Sequence, residues 1–160
     1  MVDVTECAIW EPGLYEWEYF SPKKQTHTLK YELCLSMKEH KIVWVNGPYK
    51  GSVNDLTIAR DKLTHALANE KGMGDKAYIG DIHFIAPYKP ARDHEQRLFN
   101  KHHYTVRQSI ERLNKRLKHF ECLKRTWRMR GDEGMLLHKW SFYFICYMTQ
   151  IDFNTSPLTQ

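Results

Sequence analysis

Residues 28–37, "TLKYELCLSM", set the first constraint on this chain. Leu29, Tyr31, Leu33, Leu35 and Met37 alternate with polar neighbours, the period of two that lays one face of a strand on a core. "KIVWVNG" follows after "KEHK", so the two segments predict an antiparallel hairpin. A hairpin with one apolar face needs a second layer to cover it.

The rest of the chain supplies that layer. "GSVNDLTIARDKLTHALAN" reads as a helix: Ser52 or Asn54 can cap it, and Leu56, Ala59, Leu63 and Leu67 fall on one face. Residues 2–9 read as a strand. "GMGDKAYIG" reads as a short strand ending in polar residues, and "IHFIAPYKPA" as another, stopped by Pro87 and Pro90. From Asp93 onward the pattern is helical. The last helix, about residues 133–149, is apolar nearly all round, which predicts deep burial. The order predicts an α/β domain with a mixed sheet, spanning residues 1–153, with a tail at 154–160.

Charge narrows the partners. The net charge is +5 and the pI about 9.0. Eleven Lys or Arg but only two acids, Glu111 and Glu121, lie between Arg97 and Arg130. Such a balance favours acidic partners, nucleic acid first, though a solvated basic face has the same composition. Cys7, Cys34, Cys122 and Cys146 form no CxxC pair, so they read as reduced and structural, in an intracellular compartment. No signal-peptide pattern opens the sequence. The apolar run at 140–148 is too short to span a bilayer, so no membrane partner is expected.

Residues 104–120, "YTVRQSIERLNKRLKHF", carry the chemistry. At about 100° per residue from Tyr104, Arg107 falls near −60°, Glu111 near −20° and Lys118 near −40°. Val106, Ile110, Leu113, Leu117 and Phe120 form a separate apolar stripe. Glu111 and Lys115 could simply be an i, i+4 surface pair. A carboxylate among cations also suits a divalent ion held beside a polyanion, because Mg²⁺ takes oxygen ligands and substrate phosphate. Such a site needs further acids. Asp3 in the first strand and Asp75 at the end of a later one are candidates, since α/β chemistry gathers at strand ends. Asp55 is a weaker candidate, because a helix N-terminus favours an acid there anyway.

These residues resemble a known family. Tyr104-x2-Arg107-x3-Glu111-x6-Lys118 is similar to the Y-(2)-R-(3)-E-(6)-K signature of DDE transposases of the insertion-sequence type. Thirty-five residues separate Asp75 from Glu111, a spacing such enzymes share. "VDVTECAIWEP", "SPKKQTHTLKYE", "GPYKGSVNDLTIAR", "GDKAYIG" and "LFNKHHYTVRQSIERLNKRLKHFECLK" resemble, in order, segments of the PIF/Harbinger-like DDE endonucleases. Val4, Pro22 and Asn54 depart from that pattern without removing an acid. The resemblance implies an RNase H-like fold and metal-dependent DNA cleavage and strand transfer. It implies Asp3, Asp75 and Glu111 as catalytic carboxylates on two Mg²⁺ or Mn²⁺ ions. Tyr104, Arg107 and Lys118 would meet DNA phosphates. Lys23, Lys24, His27 and Lys30 would add backbone contacts, with a solvated loop as the alternative. His102 and His103 read as surface or DNA-facing residues. With only Met1 and Val2 before Asp3, the first strand reads as truncated. The usual upstream helix-turn-helix is not in the sequence. A catalytic portion of a larger transposase is therefore expected, acting with a DNA-binding domain or protein and as a possible homodimer. It would work in the nucleus of a eukaryote or the nucleoid and cytoplasm of a bacterium. The other reading is an inactive, domesticated or decaying fragment that binds DNA or protein.

Overall fold

The computed structural model describes residues 1–13, 15–67 and 70–155, with side chains as far as Gln150. β1 (Val2–Ala8) is followed by a one-turn helix α1 (Glu16–Tyr19) and a short β2 (Phe20–Ser21). β3 (Thr26–Leu35) and β4 (Ile42–Lys50) form the hairpin that the alternation predicts. α2 (Asp55–Asp61) and α3 (Leu63–Ala66) come next, then β5 (Gly72–Met73), a 3-10 turn at Lys76–Tyr78 and β6 (Phe84–Ile85). The long α4 (His94–Leu117), short α5 (Glu121–Lys124) and long α6 (Gly131–Thr155) close the chain. The expected tail at 154–160 lies outside the described residues, except that the backbone of α6 runs on to Thr155.

β3 is the spine. It pairs antiparallel with β1 on one side, from Val2↔Cys34 to Ala8↔Thr28, and with β4 and β2 on the other. β5 and β6 form a separate parallel pair. Gly51 lets the chain leave β4 closely: a Cβ there would collide with the Tyr19 carbonyl and the Thr28 hydroxyl.

Two cores sit on opposite faces of the sheet. Leu29, Tyr31, Leu33 and Leu35 pack with Ile110, Leu113 and Leu117 of α4 and Phe142 and Ile145 of α6. Tyr31 stacks on Phe142 at 3.9 Å between ring centroids, and its hydroxyl shares a hydrogen bond with His138 Nδ1 at 2.7 Å. On the other face, Val2 and Cys34 pack with Ala59, Leu63, Tyr78 and Phe84. β3 is therefore not half-buried as the alternation suggests. Its polar positions Thr28, Lys30 and Glu32 are buried as well, beneath α2 and its neighbours.

Two helical expectations need correcting. The predicted 51–69 helix breaks at Lys62, whose φ of −138° separates α2 from α3, and positions 68 and 69 lie outside the described residues; Asn54 caps α2, accepting from Leu56 N at 2.9 Å. α6 is not enclosed. His138, Phe142, Ile145, Cys146 and Thr149 face inward, while Leu137, Trp140, Phe144 and Tyr147 are exposed, Trp140 by 60%. α4 already covers part of that side of a narrow sheet, so only one stripe of α6 finds a partner.

Candidate active site

Asp3 stands on β1 opposite Leu33, and its side chain meets α4. Arg107 Nη2 lies 3.3 Å from Asp3 Oδ1, and Asn114 Nδ2 donates to Asp3 Oδ2 at 2.6 Å. Burial pushes the Asp3 carboxyl up to about 6; the Arg107 guanidinium opposes this, and the charges of Asp75 and Asp55 add to it. The first carboxylate therefore sits where more positive charge would be favourable.

α4 can reach Asp3 because Asp93 caps it, accepting from Gln96 N at 2.7 Å, and because Ile110, Leu113 and Leu117 fix its inner face. Glu111 lies one turn beyond Arg107 and three residues before Asn114, so it is bracketed by the two residues that grip Asp3. Glu111, Arg107 and Tyr104 line a hollow of about 560 Å³ with Asp75, Lys76 and His103. Asp75 arrives on the 3-10 turn, where its Oδ1 accepts from Ala77 N at 2.8 Å. The strand before it ends at Met73, two residues earlier than the sequence suggests.

Asp55 opens α2 and pairs with Lys30 Nζ at 3.0 Å. Lys30, only 8% exposed, also donates to Val53 O at 2.7 Å. Lys118 likewise turns inward: its ammonium donates to the Glu6 carbonyl, to Leu123 O at 3.1 Å and to Cys7 Sγ at 3.1 Å, stapling α4 to β1. Lys23 and Lys24 are exposed on the turn between β2 and β3. The His27 ring packs edge-on against Phe20 at 5.9 Å. Tyr104 is 61% exposed. His103 corrects its expectation: it is buried, with Nε2 3.4 Å from Ile85 O, because α4 packs against β6 there.

Sequence reasoning passed over Asn114. Its place near −80° on the helix puts it in the Arg107 stripe, a signal that was available but hidden by an uncharged residue type. Its Oδ1 is buried with no hydrogen-bond partner among the described residues. The oxygen donors of Asp3, Asp75 and Glu111 suit a hard divalent cation in their chemistry, and burial makes the charged form of Asp3 costly, so a further cation beside it would stabilise that form. As placed, no three His, Cys, Asp or Glu side chains among the described residues are grouped closely enough to hold a metal ion. Arg107 is the cation beside Asp3.

No helix among the described residues is long and apolar enough to cross a membrane. The four cysteines are free, three of them buried. The chain is 30% identical over 138 residues to a probable transposase for insertion sequence element IS702 from Microchaete diplosiphon, a match covering 81% of this chain and 50% of that protein. It thus spans about half the length of that relative. No solved structure matches it. The sequence pattern of the DDE superfamily endonucleases matches residues 2–140, the span from β1 into α6 that holds Asp3, Asp75 and Glu111, and the chain belongs to that family.

Proposed function

We propose that this chain carries the nuclease chemistry of a DNA transposase, cleaving a phosphodiester by hydrolysis and rejoining it by transesterification. The observation that carries this reading is the grip of Arg107 and Asn114 on Asp3. It ties the acid of β1 to the helix that bears Glu111, with the charge of Asp75 felt at the same carboxyl. The order of an antiparallel sheet of β1 to β4, a helical segment and a short parallel pair supports an RNase H-like arrangement.

In this reading Asp3, Asp75 and Glu111 are the residues that would hold two Mg²⁺ or Mn²⁺ ions, once their side chains close on a common point that they do not share as placed. When bound, such ions lower the pKa of an attacking water and stabilise the charge that develops on the scissile phosphate. Asn114 holds Asp3 Oδ2 and Arg107 holds Asp3 Oδ1, so the carboxylate is kept in place between β1 and α4. Arg107, poised between Asp3 and the hollow lined by Asp75 and Glu111, can pass from the carboxylate to a phosphate. Exposed Tyr104 borders the path of the strand. A DNA-binding domain or protein outside these residues, and a second copy of the chain, complete the proposed assembly on transposon ends and target.

The test is nicking of supercoiled DNA. Nicking is expected with Mg²⁺ or Mn²⁺ and not in chelator, and Glu111→Gln or Asp3→Asn should reduce it by on the order of 100-fold or more. Metal-independent nicking, or a fully active Glu111→Gln, sinks the reading. DNA binding without nicking in any metal identifies the inactive derivative instead.

A further inference from the structure

Two hollows approach the Asp3 contact from different partners. Arg107 lines the one that holds Asp75 and Glu111, and Asn114 lines the other. This second hollow, about 470 Å³, is walled by Lys23, Lys24, Lys115, Lys118, His119 and Lys124. They come from four places in the chain: the turn before β3, the last turn of α4, the residues just after it, and α5. Their convergence is a product of the fold.

The electrostatics of this wall are one-sided. Glu6 is its only carboxylate among the described residues, and Glu6 Oε2 already accepts from Thr28 Oγ1 at 3.0 Å. Lys118 is spent on the β1 backbone and on Leu123 O, so it holds the wall in place. Lys124 has an exposed partner in Glu121 at 3.4 Å, an i, i+3 contact of little strength in water. Lys24, Lys115 and His119 are exposed, and their side chains make no hydrogen bond or ion pair among the described residues. In particular, Lys115 does not take up the surface pair with Glu111 that its spacing allows. Unpaired cations gathered in a concave wall raise the local potential far above that of the same charges scattered on a flat face. The ligand that answers several like cations in a row is one with regularly spaced anions.

We propose that this hollow seats the phosphodiester backbone of one DNA strand and leads it to Asp3, with Lys24, Lys115 and His119 as its contacts. The proposal rests on the nuclease reading but adds a path: the strand lies against the C-terminal end of α4 and meets the carboxylates where Asn114 and Arg107 hold Asp3.

Fluorescence anisotropy of a labelled duplex, titrated in chelator over a range of salt in a Glu111→Gln background, tests it. Each phosphate contact contributes roughly 0.9 to the log–log salt slope. Lys24→Ala with Lys115→Ala should therefore lower the slope by roughly 2. His119→Ala should weaken binding further. Lys41→Ala, on the turn between β3 and β4, should leave the slope at the parent value. An unchanged slope in the double variant overturns the proposal, as does an equal loss in Lys41→Ala. If Mn²⁺-dependent nicking by the wild type persists while the double variant keeps its slope, only the path falls. If the wild type neither binds nor nicks DNA, the nuclease reading falls with it.

Discussion

Glu32 shows what a single residue carries on the second face of β3. It is fully buried; Oε2 accepts from Trp44 Nε1 at 2.8 Å, while Oε1 has no hydrogen-bond partner among the described residues. Burial pushes its carboxyl up to about 7. A raised carboxyl stabilises the fold only while it keeps its proton. That stability is complete below the unfolded value of 4.5 and is lost as pH rises through about 7. Glu32→Gln keeps the bond from Trp44 and should abolish this loss, making the variant more stable than the parent at pH 8 by about 2 kcal/mol in urea denaturation. A variant less stable than the parent at that pH would show that the carboxylate form is the one the fold prefers. Lys118 is the opposite case, a charge that satisfies its surroundings. Lys118→Met leaves the Glu6 and Leu123 carbonyls without a donor and should cost about 2 kcal/mol. A cost near zero would mean that the staple is dispensable.

At the scale of elements, α6 makes the sharpest claim. Phe142 and Phe144 are two positions apart, yet one is fully buried against Tyr31 and the other is 62% exposed. Phe142→Ala should therefore destabilise the chain by about 3–5 kcal/mol, and Phe144→Ala by less than about 1. Thermal or urea unfolding of the two proteins checks this directly, and equal losses would show that α6 is covered on both sides in solution. The sequence could not reveal the asymmetry. Phe144 and Phe142 are the same residue type, and an all-round apolar helix has no polar stripe to orient it. Periodicity says which residues of one element share a face, not what lies opposite. It therefore placed Arg107, Glu111 and Lys118 together, and put the hairpin and α2 where they are found. It was silent on Lys118 turning toward β1, on the cover over Lys30 and Glu32, and on Asn114, all of which depend on neighbours distant in the chain.

Across the whole molecule, β3 joins everything. It pairs on both edges and lies between the two cores, whereas β5 and β6 share a ladder of two residues each. Native-state hydrogen exchange should find the slowest amides in β3, with β5, β6 and the turn bearing Asp75 opening first. Protection of β5 equal to that of β3 would show that the small parallel pair is part of the same cooperative unit. The long reach of the Asp3 contacts has a further consequence, for synthesis. Asp3 meets partners 104 and 111 positions later. A growing chain thus exposes its first acid early and completes the cleft only once α4 has cleared the ribosome. Any product that stops before α4 lacks Arg107, Glu111 and Asn114, so an unfinished copy has neither the grip on Asp3 nor the third acid of the proposed site.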